Sequence, residues 1–490
     1  MKPRHGRVLV IDVGTTGTRA AIVDHNADVL HVQYRRTPPL NPFAGLVEFD
    51  ASELANTVID LANRALDCVD GVDAVGITNQ RGSTVLWDRS TGKPLGNGLG
   101  WQDLRTVGEC ITAKAEHGLT LAPNQSATKA AWLLAQHDPD RSRDLCLGTI
   151  DSWLVWTLTG GRAHVTDRSN AGITGLVEPD GSRWSNTVAA ALGIDLAFLP
   201  TLIDSSGPIA EATALHGSPV ICGIAGDQQA SLLGQGCVRP GLTKCTFGTG
   251  GMLDMVTGAP APRHAGRLEG GTFPIACWGL SGSVTWGVEA IMLAAGSNID
   301  WLHDDLGIIP SPAASAEIAA SVADTGGVVY VPALMGLGSP HWDYGARGIV
   351  LGATRGTTRA HLVRAVLEGV AQRGADLVDA AESDSGLVVQ ALRIDGGMST
   401  NPVFVQSLAD ATGRTVEVAP NTESTTLGAG LLAGLAVGIW PDLDAIESTW
   451  RPRLRIEPTP GLDRAASRGR WAQAVERSAG WIPALSALDF

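Results

Sequence analysis

The stretch "GIAGDQQASLLGQG", residues 223–236, holds a single acidic side chain, Asp227, between glycines and amides, directly after the apolar run "SPVICGIA". A lone carboxylate at such a junction has two uses. It caps and charges the first turn of a helix, or it accepts a proton from a bound hydroxyl group. Two further stretches carry phosphate chemistry. "IDVGTTGTR" places Thr15 and Thr16 in a Gly-Thr turn between the strand-like runs "RVLVID" and "AAIVD", and "FGTGG" places Thr249 and Gly250 in a second such turn. Such tips offer consecutive backbone N–H groups and hydroxyl donors that converge on an anion. The chain has no Gly-x4-Gly-Lys-[Ser/Thr] segment, so phosphates held at these tips lack a P-loop lysine and call for a divalent cation. Asp12, at the end of the first strand-like run, is placed to meet Mg²⁺ through water.

These side chains need a scaffold that brings the tips together. Strand-like runs alternate with helical spacing: in "AHLVRAVLEGVAQRGADLVDAA" the apolar residues Leu362, Val366 and Val370, with Val363 and Leu367, follow a three-to-four period. "ALRIDGGMSTNPVFVQSLADATG" reads as strand, double-glycine turn and helix, "RTVEVA" as a strand, and "STTLGAGLLAGLAVGIW" as a mostly buried helix. The alternation predicts an α/β fold with largely parallel sheets covered by helices. Because the two tips lie about half the chain apart, the sequence predicts two copies of one domain plan facing each other across a cleft, residues 1–238 and 239–490, with the boundary in "GQGCVRPG". The arrangement within 441–490 is not legible.

Composition excludes several function classes. At 490 residues the chain exceeds one ordinary core, and 44% hydrophobic against 18% charged residues marks it as globular. A formal net charge of −14, with no basic cluster, argues against nucleic acid as a partner. The N-terminal apolar run is too short for a signal-peptide core, and residues 427–440 fall short of a bilayer span, so no membrane association and a cytoplasmic location are expected. Seven cysteines without a Cys-x-x-Cys pair predict reduced, buried thiols.

Together, "IDVGTTGTR", "GITNQRGSTVLWD", "GWQDLRT", "ATKAAWLL", "GIAGDQQASLLGQG", "FGTGG", "GLGSPHWDYGARGIVLGATRG" and "IDGGMSTNP" resemble the FGGY carbohydrate kinases, most closely their glycerol kinase branch, in the same order from about residue 8 to residue 440. The resemblance implies two actin-like domains, of the ribonuclease H-like plan shared by sugar kinases, Hsp70 and actin, closing on ATP, Mg²⁺ and a polyol or small sugar. By matching position, Thr15, Thr16 and Arg19 approach the nucleotide phosphates from the first tip, and Thr249 and Gly250 from the second. Gly296, Gly396, Gly397 and Asn401 match adenosine-side contacts, while Asp300 stands where the branch carries a glutamine. Asp227 matches the general base that takes the proton of a primary hydroxyl, and with Asp12 it lies near the Mg²⁺ shell. Family analogy also points to a homodimer or homotetramer.

The polyol pocket implied by the resemblance comprises Arg81, Gly82, Trp101, Asn124, Asp227, Gln228 and Met252. Three of these depart from the branch: Gly82 replaces a glutamate, Asn124 a tyrosine and Met252 a phenylalanine. Loss of a carboxylate and an aromatic ring predicts a wider pocket suited to a polyol or ketose of four or five carbons. The alternatives are an unaltered preference for glycerol and, from another class, a nucleotide-gated binding protein without kinase activity. The combination of Arg81, Trp101 and Asp227 speaks against the latter.

Overall fold

The computed structural model describes residues 4–420 and 423–488. Two mixed sheets dominate it. The first contains β1 (Arg7–Val13), β2 (Gly17–Asp24), β3 (Val29–Arg36), β4 (Ala74–Asn79), β5 (Ser206–Glu211) and β6 (Val220–Gly226), in the spatial order β5-β6-β4-β1-β2-β3. The second contains β7 (Thr243–Phe247), β8 (Gly251–Gly258), β9 (Phe273–Leu280), β10 (Ser283–Met292), β11 (Ala391–Asp395), β12 (Thr415–Val418) and β13 (Leu454–Ile456), in the order β9-β10-β8-β7-β11-β12-β13. Both repeat one plan. An antiparallel hairpin, β1-β2 or β7-β8, pairs through its first strand with a parallel neighbour, β4 or β11, which pairs in parallel with the next strand, β6 or β12. This is the actin-like two-domain α/β architecture that the resemblance implies, but the sheets are not largely parallel as the alternation predicts, because most neighbouring strands, including both hairpins, pair antiparallel.

The period of two along β1 explains its place at the centre of the first sheet. Leu9, Ile11 and Val13 pack on one face against α1 (Ala51–Leu66), whereas Val8 and Val10 pack on the other. A strand apolar on both faces has to be covered on both. The second cover is α6 (Ser424–Val437), which comes from the later half of the chain yet lies on the earlier sheet. Its glycines permit that approach. A Cβ on Gly428 would overlap the backbone of Ala230, in α3 (Asp227–Gly234), and a Cβ on Gly234 would overlap that of Ser424.

Three further helices matter here. The amphipathic run becomes α4 (Arg359–Ser385), burying Val363, Val366, Leu367 and Val370. It packs with α5 (Pro402–Thr412) over the face of the second sheet formed by Cys245, Phe247, Leu253 and Met255. α2 (Ser126–His137) lies beside the expected polyol pocket. The tail illegible in sequence adds β13 to an edge of the second sheet and docks α7 (Arg464–Ser478) on α4, with Arg468 Nη2 2.6 Å from Asp376 Oδ1. All seven cysteines are free, and six are buried; Cys68 is exposed, against the expectation of buried thiols, because it follows the end of α1 at the surface. No helix among the described residues is long and apolar enough to cross a membrane.

Candidate active site

Asp227 is the first residue of α3, immediately after β6, so the strand end and the helix start jointly fix its carboxylate. Its Oδ1 accepts the backbone N–H of Gln228 at 2.8 Å and lies 3.4 Å from Arg81 Nε. The side chain keeps 27% of its exposure. Burial pushes its carboxyl above the ordinary aspartate value, while the Arg81 guanidinium pulls it back and Asp12 pushes it further up. Asp227 does not cap α3, whose N-cap is Gly226, but it charges the first turn, and a helix start favours its ionised form.

Arg81, on the loop after β4, reaches three acceptors. Besides Asp227 these are Gln229 Oε1, at 3.3 Å from Nη1, and Glu289 Oε2 on β10, at 2.6 Å from Nη2. Gly226 leaves it a passage, because a Cβ there would meet Arg81 Cγ and Cδ at 2.7 Å. Gln228, on the other flank of Asp227, turns its Oε1 to Lys244 Nζ at 2.6 Å. Lys244 also donates to Thr246 Oγ1 at 3.2 Å and lies 2.6 Å from Asp254 Oδ2. Lys244, Asp254 and Glu289 are absent from the sequence-level set.

The first Gly-Thr tip, residues 14–16, is closed by the Gly14 N–H on Gly17 O at 2.9 Å, and Thr16 O accepts the Thr37 N–H at 2.9 Å. Thr15 Oγ1 accepts from Trp101 Nε1 at 3.1 Å, which ties the phosphate tip to the expected polyol pocket. Asp12, almost fully buried, accepts from Thr426 Oγ1 at 2.8 Å and from Arg19 Nη1 at 3.1 Å. Arg19 also lies 2.6 Å from Glu423 Oε2, so its guanidinium is held by two carboxylates. Burial raises the Asp12 carboxyl above its usual range, against the lowering by Arg19.

The second tip, residues 248–250, gathers the predicted nucleotide-side glycines. Gly296 N–H donates to Gly248 O at 2.8 Å, and a Cβ on Gly296 would approach that oxygen to 2.6 Å. Ala295 N–H donates to Thr249 O at 2.8 Å. Gly396 adopts φ +85°, and a Cβ there would collide with the Phe247 carbonyl, so only glycine lets this turn lie on the tip. Gly397 faces open space. Asn401 is placed beside this turn, but its side chain is engaged: Oδ1 caps α5 through the N–H groups of Val403 and Phe404, and Nδ2 donates to Ser315 Oγ at 3.1 Å. Asp300 is exposed in the short helix Ser297–Asp300.

The polyol side corrects one expectation. Gly82 does not leave space. It sits at φ +74°, and a Cβ would meet Asn124 O at 2.5 Å and Trp101 Cβ at 3.6 Å. The backbone of the segment before α2 fills the position, and Lys129 in α2 holds that segment by donating to Pro123 O at 2.6 Å and Gln125 O at 3.0 Å. Asn124 contributes this carbonyl, while the residue itself is exposed. Met252 is half-buried on β8, with its carbonyl 3.5 Å from Lys244 Nζ. Contacts thus run from Arg81 through Asp227, Gln228 and Lys244 to Thr246 beside the second tip, while Trp101 joins Thr15 at the first.

Comparison with known proteins agrees with this layout. The model of the FGGY family of carbohydrate kinases, N-terminal domain, matches residues 7–234, and that of the C-terminal domain matches 243–437. The chain is 43% identical to glycerol kinase of Dechloromonas aromatica (strain RCB) over 97% of this chain and 98% of that one. It is 40% identical to glycerol kinase 2 of Thermotoga maritima, over 97% and 99% of the two chains. The crystal structure of Plasmodium falciparum glycerol kinase with ADP superposes with a TM-score of 0.90 at 30% identity, covering 96% of this chain and 98% of that one.

Proposed function

The chain belongs to the FGGY family of carbohydrate kinases, ATP-dependent phosphotransferases, and from that premise we propose that it transfers the terminal phosphoryl group of ATP to a primary hydroxyl of glycerol. The observation that carries the reading is the Asp227 carboxylate at the start of α3, flanked by Arg81 and Gln228 and facing the Asp12 side of the cleft. As the cleft between the two sheets closes, with α6 (Ser424–Val437) staying on the first sheet, Asp227 hydrogen-bonds the attacking hydroxyl and takes its proton while the oxygen bonds to phosphorus and ADP leaves. A positioned carboxylate of this kind contributes about 10²- to 10⁴-fold. Arg81 and Gln228 hold the neighbouring hydroxyls. The backbone N–H groups of residues 14–16 and 248–250, with the Thr15, Thr16 and Thr249 hydroxyls and Arg19, bear the phosphate charge in a cleft that excludes water. Gly296, Gly396 and Gly397 flank the adenosine, with the Asn401 cap supporting that turn.

The residues fit Mg²⁺ held largely through water. No group of three or more His, Cys, Asp or Glu converges among the described residues, whereas Asp12 lies close enough to Asp227 to help raise its carboxyl. Mg²⁺ typically binds through one or two carboxylates plus substrate phosphates, and when bound it neutralises phosphate charge.

Two observations favour glycerol over a longer polyol. Relatives at 40% identity and above over nearly the whole chain are named glycerol kinases, and the space expected at Gly82 is filled by the Asn124 carbonyl. The test is ADP formation across glycerol, tetritols, pentitols and ketoses. The proposal expects the highest kcat/KM with glycerol. A tetritol, pentitol or ketose that exceeds it would overturn the substrate assignment, and slow ATP hydrolysis unresponsive to every polyol would favour a nucleotide-gated binding protein.

A further inference from the structure

Six charged residues stand directly opposite one another on consecutive strands of the second sheet. Arg455 on β13 pairs with Glu417 on β12, Glu417 with Arg393 on β11, Arg393 with Lys244 on β7, Lys244 with Asp254 on β8, and Asp254 with Glu289 on β10. Because residues in register share a face, the six side chains form one row across the sheet. The face is the one turned away from α4, toward the first half of the chain. Lys244 and Asp254 are fully buried there, and Arg393, Glu417 and Glu289 nearly so. A buried charge persists only when it is compensated, and this row compensates internally. Lys244 lies 2.6 Å from Asp254, and Glu417 lies 3.2 Å from Arg455 and 3.5 Å from Arg393. Glu289 finds its partner in Arg81 of the other half, at 2.6 Å.

Three members of the row leave it to grip the catalytic neighbourhood. Arg393 donates to the carbonyl of Gln235 at the C-terminal end of α3, where a cation also suits the helix dipole. Lys244 holds the Gln228 amide in the first turn of the same helix. Glu289 holds Arg81 on the opposite flank of Asp227. The helix that carries the base is therefore fixed at both ends by the row, and so are two of the expected polyol-binding side chains, Gln228 and Arg81. Asp254 is the central member: it pairs with Lys244 on one side, and on the other it stands opposite Glu289, whose carboxyl is raised by burial and by Asp254 and lowered by Arg81.

We propose that Asp254 is a positioning residue for the polyol: through Lys244 it orients Gln228, and through Glu289 it orients Arg81, so that both face the substrate only when the two halves meet. This rests on the kinase reading above. It assigns part of the specificity for the alcohol to charges on the sheet face that also carries Met252. The residues expected to meet the nucleotide, Thr15, Thr249 and Gly396, lie outside the row, so its larger effect is expected on the polyol.

The experiment compares the wild type with Asp254→Asn and with the double variant Asp254→Leu/Lys244→Met, in steady-state assays with thermal unfolding measured alongside. The double variant removes both charges, a replacement that buried ion pairs commonly tolerate. KM is measured for ATP and for whichever polyol the wild type turns over best, so that failure of glycerol as the substrate leaves this test standing. Misaligned charged hydrogen bonds should raise the polyol KM about 10-fold or more, with the ATP KM changed less. A folded variant with the wild-type polyol KM overturns the proposal. So does a parallel rise in both KM values, and so does failure of both variants to fold, which would assign the row to stability alone. A wild type that phosphorylates no polyol overturns the kinase reading and this inference together.

Discussion

The indole Nε1 of Trp101 donates to Thr15 Oγ1 at 3.1 Å, joining a side chain proposed to line the polyol pocket to the first Gly-Thr tip. The proposed alcohol and phosphate sites are therefore joined by a hydrogen bond. The link has a chemical purpose, since in-line transfer requires the attacking oxygen and the terminal phosphorus to be placed by one rigid frame.

Trp101→Phe keeps the aromatic surface and removes the donor. A neutral hydrogen bond of this type contributes about 0.5–1.5 kcal/mol, so stability should fall by no more than that. The larger effect should appear in kcat/KM, where loss of the shared frame predicts a decrease of about tenfold. Thermal unfolding and steady-state kinetics on the same preparation check this prediction.

Gly82→Glu tests whether the substituted position is a vacancy. If it were, restoring the carboxylate would improve glycerol turnover. Because Gly82 is held at φ +74° with Asn124 O 2.5 Å from any Cβ, the substitution should cost about 1–3 kcal/mol of backbone strain. It should also displace Trp101 or the 122–125 segment. The expected result is a lower unfolding temperature and a reduced kcat/KM for glycerol.

The pH profile should carry the signature of Asp227. Burial raises its carboxyl above the ordinary aspartate range, and only the ionised form accepts a proton. kcat/KM should therefore fall as pH is lowered through that raised value, with an acid limb above the usual carboxylate pKa of about 4. The stability sign is opposite. A native carboxyl with a raised pKa binds its proton more tightly than the unfolded chain does, so its contribution is full at low pH and is lost as pH rises through the folded value. Rate profiles and unfolding curves across the same pH series separate the two effects.

Much of this was legible in the sequence, and the division follows the range of the interactions. The Gly-Thr tips, the amphipathic spacing of α4 and the double-glycine turn at 396–397 are local signals, and each appears where its residues predict. The row through Lys244, Asp254 and Glu289 depends on strand register between distant segments, which no local pattern reports. Its trace was nevertheless present: "LTKCTF" and "GMLDMV" each place one charge inside an apolar strand, and a buried lone charge demands a partner. The Gly82 position misled for the same reason. A missing side chain suggests space, but its neighbour here is a backbone carbonyl delivered by the segment that Lys129 anchors.

The account depends most on Asp227 as the proton acceptor, and Asp227→Asn tests it most directly because the amide keeps the size and loses the basicity. The expected result is a fall in kcat of about 10²- to 10⁴-fold, with ATP binding retained and an unfolding temperature at neutral pH that is unchanged or higher. Turnover at the wild-type rate by the folded Asp227→Asn protein would contradict the account.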